Sequence, residues 1–167
     1  MLSKAPETTA DSAPALICTA PIPVLMLRGS AALSPFRQER LMGRLRAVLP
    51  AIESVHAEYR HFAALHGEIS ATDRQMLERL LSYGPKRTSV APRGELLLVV
   101  PRLGTLSPWS SKATDIARHC ALKVIRRLER GVAWFVATRG DAALDAGERQ
   151  QLVALIHDRM TESVLPS

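Results

Sequence analysis

The sequence predicts an α+β domain: a two-layer sandwich of duplicated strand-helix-strand-helix units, packed as a pseudo-dimer with a ferredoxin-like relationship. Two observations carry that expectation. The element pattern strand, helix, long strand, helix occurs twice, over residues 23–83 and 95–162. Its punctuation also repeats at a fixed offset: Ser34-Pro35-Phe36 and Ser107-Pro108-Trp109 lie 73 residues apart, as do Phe62 and Phe135, and Gly67 and Gly140. After a two-residue insertion, Arg74-Gln75-x-Leu77 matches Arg149-Gln150-x-Leu152. The helix bodies between them align with a one-residue slip. A regular internal period points to repetition of one supersecondary unit, and units of about 60 residues bury too little surface to stand alone. The halves are therefore expected to share one sheet, with helices on its other side.

Each element has a local reason. Val24 to Gly29 is a short apolar run closed by glycine, a strand signal. Ser34 stands where an N-cap hydroxyl is wanted, and Pro35 suits the first helical position. Leu41, Leu45, Val48 and Leu49 recur at helical spacing, and Pro50 stops the run. In "ESVHAEYRHFAALHG", Val55, Ala57 and Tyr59 alternate with His56, Glu58 and Arg60, which reads as a long strand ended at Gly67. "SATDRQMLERLLSYGP" has hydroxyls at its start, Met76, Leu77, Leu80 and Leu81 on one face, and a Gly-Pro stop. The second unit repeats the order. Glu95 to Arg102 is a buried-type strand. Ser107 caps a helix whose apolar stripe is Ala113, Ile116, Ala117 and Cys120. "VIRRLERGVAWFVATRG" is a long strand, and "DAGERQQLVALIHDRM" a helix with Leu152, Leu155, Ile156 and Met160 inward. Residues 1–21 read as a flexible Pro/Ala/Thr-rich extension, leaving 22–165 as the domain.

Composition narrows the function classes. The chain has 167 residues, of which 47% are hydrophobic, enough for a core. Lys and Arg number 22 against 16 Asp and Glu, a net charge of +6 that favours acidic partners. No apolar run reaches the ~20 residues that span a bilayer, and the start lacks a basic, unbroken signal segment, so a cytoplasmic location is expected. The two cysteines, Cys18 and Cys120, have no disulfide or zinc spacing. Cys120 on an apolar helix stripe reads as a small buried hydrophobe rather than a nucleophile. His56, His61 and His66 are spaced by five, which fits neither one helical nor one strand face, so no metal is assigned. No phosphate-loop motif of the Walker type occurs. No residue is assigned a catalytic role.

The stretch "TLSPWSSKATDIARHC" is the most informative. Capping explains Ser107 and Pro108, as it does Ser34 and Pro35, and Trp109 and Phe36 suit core or staple positions. The first copy lacks the "SSKAT" that follows and has Arg37, Gln38 and Glu39 instead. A helix N-terminus offers free N–H groups and partial positive charge. Ser110, Ser111, Lys112 and Thr114 would add donors and a cation, with Asp115 able to orient Lys112. These five residues are the candidate contact surface, with Trp109, Ile116 and Cys120 pointing inward. The charged strands, with "RRLER" and "HAEYRH", keep open a nucleic-acid-binding sheet or a free-standing dimerising regulatory module. However, aromatic residues are only 4% of the chain, too few for the usual stacking platform.

The stretches "LRGSAALSPFR", "HAEYRHFAAL", "LERLLSYGP", "LLLVVPRLGTLSPWSSKATDIARHC", "RLERGVAWFV" and "LIHDRMTESV" together resemble the N-terminal region of the large, single-chain phosphoribosylformylglycinamidine synthases, over about Val24 to Val164. "GTLSPWSSKATDIA" is the most specific part. The resemblance implies an accessory domain of a purine-biosynthetic, glutamine-dependent ligase. That enzyme uses ATP and magnesium to activate the formyl amide oxygen of its ribotide, which ammonia from glutamine then replaces. It also implies a domain like a fused pair of small subunits, with the synthetase and glutaminase domains of the same enzyme as partners. The chain stops at Ser167, where the linker to the synthetase is expected, so neither ATP nor magnesium is expected to bind within it. The five candidate residues are expected to face the synthetase near its ribotide.

Overall fold

The computed structural model describes residues 21–84 and 92–166. The expected extension and Cys18 lie outside the described residues, except for Pro21. The elements are β1 (Val24–Ala31), α1 (Pro35–Val48), β2 (Ile52–Leu65), α2 (Ala71–Leu80), β3 (Glu95–Pro101), α3 (Pro108–His119), β4 (Ile125–Thr138), α4 (Ala146–Ile156) and β5 (Glu162–Pro166). They form a mixed α/β domain with one antiparallel five-stranded sheet, ordered β1-β2-β4-β3-β5, and four helices.

Local chemistry fixes the helix starts. Ser34, Ser70, Ser107 and Asp145 are the N-caps, each accepting a hydrogen bond from a backbone N–H three residues on. Glu148 completes a capping box with Asp145 by accepting from the Asp145 N–H. All four helices lie on one sheet face. Val55, Ala57 and Ala63 share one parity of β2. The first two join Leu45, Leu152 and Ile156 in one core cluster, and Ala63 joins Leu77, Ala117 and Leu122 in a second. Burying each such leucine contributes about 1.5–3 kcal/mol.

The opposite face carries Val24 and Met26 of β1, Phe62 of β2 and Leu98 of β3, together with the charged set Arg28, Glu58 and Arg60. Among the described residues, no helix covers it.

Several expected inward positions point out. Val48, Met76 and Phe36 are exposed, each lying beyond the arc of its helix that meets the sheet. Ile116 is 49% exposed, because α3 turns Ser110, Thr114 and Ala117 inward instead. The fourth helix ends at Ile156, four residues before Met160, which is 76% exposed. Asp158 is the cause. Its side chain accepts from the Met160 N–H (2.8 Å), while its own N–H donates to Glu162 (2.8 Å). That local bonding competes with the helix and launches β5, a strand absent from the sequence expectation.

Candidate functional site

The two Ser-Pro openings both act as caps, but unequally. Ser34 Oγ accepts from the Arg37 N–H at 3.4 Å on an exposed surface. Ser107 Oγ accepts from the Ser110 N–H at 3.0 Å and also donates to Glu129 Oε1 at 2.7 Å, tying α3 to β4. Burial alone would push the Glu129 carboxyl up. Hydrogen bonds from Ser107, the Arg130 N–H and Arg127, with the Arg127 charge, outweigh it and hold the carboxyl below its ordinary value.

The five candidate residues divide. Ser110 and Thr114 are buried and cannot form an outward contact surface, which corrects the expectation for both. The reason lies in the sheet. Strand β3 pairs with β4 only as far as Val99 opposite Val132, so the other end of β4 has no neighbour on that side. Helix α3 takes the vacant place. Ser110 Oγ donates to the Leu128 carbonyl at 2.5 Å, and Thr114 Oγ1 accepts from the Leu128 N–H at 2.9 Å. Arg127 Nε adds a bond to Ser110 Oγ at 3.1 Å. In the first unit, Gln38 Nε2 does a related service, donating to the Val55 carbonyl at 2.9 Å. An unsatisfied buried backbone group costs about 1–3 kcal/mol. Thr114→Val, which keeps the shape and removes the acceptor, is expected to lose that amount in urea denaturation, and Ser110→Ala a similar amount. A loss below about 0.5 kcal/mol, the surface range, would contradict the role.

Ser111, Lys112 and Asp115 are exposed. Asp115 pairs with Arg118 at 3.5 Å rather than with Lys112, a pair too exposed to contribute much. Lys112 lines a shallow groove of about 540 Å³ with Leu80, Tyr83, Pro108, Trp109 and Ile116. The outward half of the motif therefore combines one cation, one hydroxyl, the Asp115 carboxylate paired with Arg118, and Ile116. Trp109 and Cys120 are half-buried.

Sequence reading missed a polar-aromatic cluster between the two cores. His61 and Arg130 are directly opposite across β2 and β4, flanked by Tyr59 opposite Val132. The Arg130 guanidinium sits 4.2 Å from the Tyr59 ring centre and 5.0 Å from that of Trp109, and its Nη1 donates to Tyr83 Oη at 3.2 Å. His61 Nε2 lies 2.7 Å from Tyr83 Oη, and its ring stacks on Trp109 at 5.6 Å. Which of the two groups donates in the contact between His61 and Tyr83 is set by the imidazole tautomer. Burial, reinforced by the Arg130 charge, lowers the His61 pKa to about 4, so the ring is neutral at pH 7. The signal that could have found this cluster was the offset itself: pairing the long strands antiparallel about positions 59 and 132, which lie 73 residues apart, brings 61 opposite 130.

The three histidines do not converge. His56 is on the open sheet face, 3.8 Å from Glu58, His61 is on the helix face, and His66 follows the end of β2. Among the described residues no three His, Cys, Asp or Glu side chains are placed to share a metal. Nor is any described helix long and apolar enough to cross a membrane. The family model described as formylglycinamide ribonucleotide amidotransferase N-terminal matches residues 58–167, beginning within β2 and running through both α3 and the missed Arg130. The match covers more than half of the chain, which therefore belongs to this family, the N-terminal domain of the purine-biosynthetic phosphoribosylformylglycinamidine synthase.

Proposed function

We propose that the domain serves assembly and substrate-side contact in the enzyme that converts formylglycinamide ribotide, glutamine and ATP to formylglycinamidine ribotide, and performs no chemistry alone. The observation that carries this reading is the division of the "SSKATD" motif. Two of its side chains are used inside the domain to fasten α3 to β4. That fixes the direction in which Ser111, Lys112 and Asp115 project. A rigidly held helix start with an exposed cation suits contact with a partner domain beside an anionic substrate. We infer that the magnesium–nucleotide site lies outside this chain, a reading supported by the lack of a Walker-type phosphate loop in the sequence. ATP and magnesium are assigned to the synthetase domain, and glutamine hydrolysis to the glutaminase.

The pseudo-dimeric origin belongs to the same reading. Tyr59 pairs with Val132, its equivalent at offset 73. Moving outward, Ala57–Trp134 and His61–Arg130 exchange under that offset, as a twofold axis through the sheet requires. Among the described residues, β5 has no counterpart in the first unit.

The test is Lys112→Ala. Stability should change by no more than about 0.5 kcal/mol, as for other surface positions. In the complete synthase, turnover should fall with ammonia as well as with glutamine, because the lesion is on the ribotide side. Normal kinetics with both nitrogen sources would reduce the motif to a helix start.

A further inference from the structure

A second groove, about 550 Å³, runs between the start of α3 and the start of β5 and is lined by Tyr59, Trp109, Arg130, Leu106, Met160 and Glu162. Arg130 is half-buried at its floor, held by two ring faces and the Tyr83 hydroxyl. Among the described residues no carboxylate pairs with it. The neighbouring acids are engaged elsewhere: Glu129 with Arg127 and Ser107, and Glu162 with the Asp158 N–H. Ring faces compensate a guanidinium only in part, and the strong complement of a planar, desolvated guanidinium is a carboxylate. The open rim carries Leu106 and Met160, both largely exposed, with Pro108 exposed beside them and Arg102 and Thr105 as further exposed members. A small free anion would answer the charge and leave the apolar side chains in water.

We propose that this groove is a docking seat for a polypeptide segment of the remainder of the synthase that presents a carboxylate side chain to Arg130 and flanking apolar side chains to Leu106 and Met160. The assignment rests on the assembly role proposed above and names the chemistry of one contact. It places a second attachment point on the side of Trp109 away from Lys112.

The experiment measures binding of the 167-residue chain to the remainder of the synthase, supplied as a separate polypeptide, by titration calorimetry at two salt concentrations. Arg130→Gln should weaken binding at least about tenfold, as for loss of a buried interfacial charge, and should flatten the salt dependence. Arg130→Lys should restore part of the loss. Met160→Glu sits on an exposed side chain that the fold does not use, so it tests the seat without threatening folding. It should also weaken binding at least about tenfold, through like-charge repulsion and lost apolar contact. Unchanged binding by both Arg130→Gln and Met160→Glu would overturn the seat while leaving the assembly role standing. No association of the wild-type chain would overturn both. Saturable quenching of tryptophan emission by millimolar inorganic phosphate, abolished by Arg130→Gln and competing with the remainder, would assign the seat to a free anion and overturn the proposal.

Discussion

Replacing Glu58 by alanine is expected to cost about 3 kcal/mol of stability, the lower end for breaking a buried ion pair. Glu58 lies on the sheet face without helices, yet it is only 2% exposed. Its neighbours are what cover it. Arg28 grips it with two parallel bonds, Nε to Oε1 at 3.0 Å and Nη2 to Oε2 at 2.7 Å, and Arg60 Nη1 approaches Oε1 at 2.6 Å. Arg28 sits on β1 and Glu58 on β2, so the carboxylate also links an edge strand to the central pair. The hydrogen bonding that Arg28 donates to Glu58 is the main reason that Arg28 holds its proton more firmly than usual. Removing the carboxylate leaves two cations facing each other. The Arg28 side chain is 42% exposed and can turn to water, so its share is small. The Arg60 side chain is 14% exposed and cannot readily do so. Most of the cost should therefore follow Arg60, and the Glu58→Ala/Arg60→Ala double variant should lose less than the sum of its singles. Urea denaturation at pH 7 measures each. A Glu58→Ala loss under about 1 kcal/mol would show that solvent screens the set.

Glu58 also shows where the sequence ceased to be legible. Alternation in "HAEYRH" correctly assigns Glu58 and Arg60 to the face opposite Ala57 and Tyr59. Alternation says nothing about which residues of other strands arrive beside them, and that decides whether a polar face is wet. The same limit explains α3. A pattern reading places Ser and Thr on the surface and Ile inside, yet Ser110 and Thr114 are buried and Ile116 is not. The information lay in strand lengths: β4 has 14 residues and β3 only 7, so half of β4 needs another partner for its backbone. Helix starts were legible because Ser-Pro and hydroxyl caps act over three residues. The end of α4 was not, because Met160 continues the helical spacing of Leu152 and Ile156 past an Asp158 turn that breaks it. The exposure of Ser111, Lys112 and Asp115 could be read from the sequence, but the setting of Arg130 could not, since it depends on Tyr59, Tyr83 and Trp109 meeting from distant parts of the chain.

Acidification from pH 7 to pH 4 should remove about 3 kcal/mol of stability through His61 alone, at about 1.4 kcal/mol per unit of pKa difference. The ring is 1% exposed, stacked on Trp109 and bonded to Tyr83, with Nδ1 lacking a hydrogen-bond partner. A proton there would create a second cation directly across the sheet from Arg130. In the unfolded chain the imidazole titrates near 6.5, whereas in the folded domain it titrates at about 4. Between those values the unfolded chain binds a proton that the folded domain refuses, so stability falls with falling pH. The contribution is whole above pH 6.5, erodes through the window, and is gone once pH drops below the folded value. Glu129 adds a loss of the same sign that begins only at the acid end of this range, as pH falls through the ordinary value of 4.5 at which the unfolded carboxylate takes a proton that the folded one refuses. His61→Phe keeps a ring on Trp109 and has nothing to protonate. It should be less stable at pH 7, where Tyr83 loses its partner, but its stability should vary far less between pH 6.5 and 4.5. The comparison is therefore between slopes of denaturation free energy against pH. Parallel slopes for the wild type and His61→Phe would mean that the imidazole is reached by water and titrates like an unfolded one.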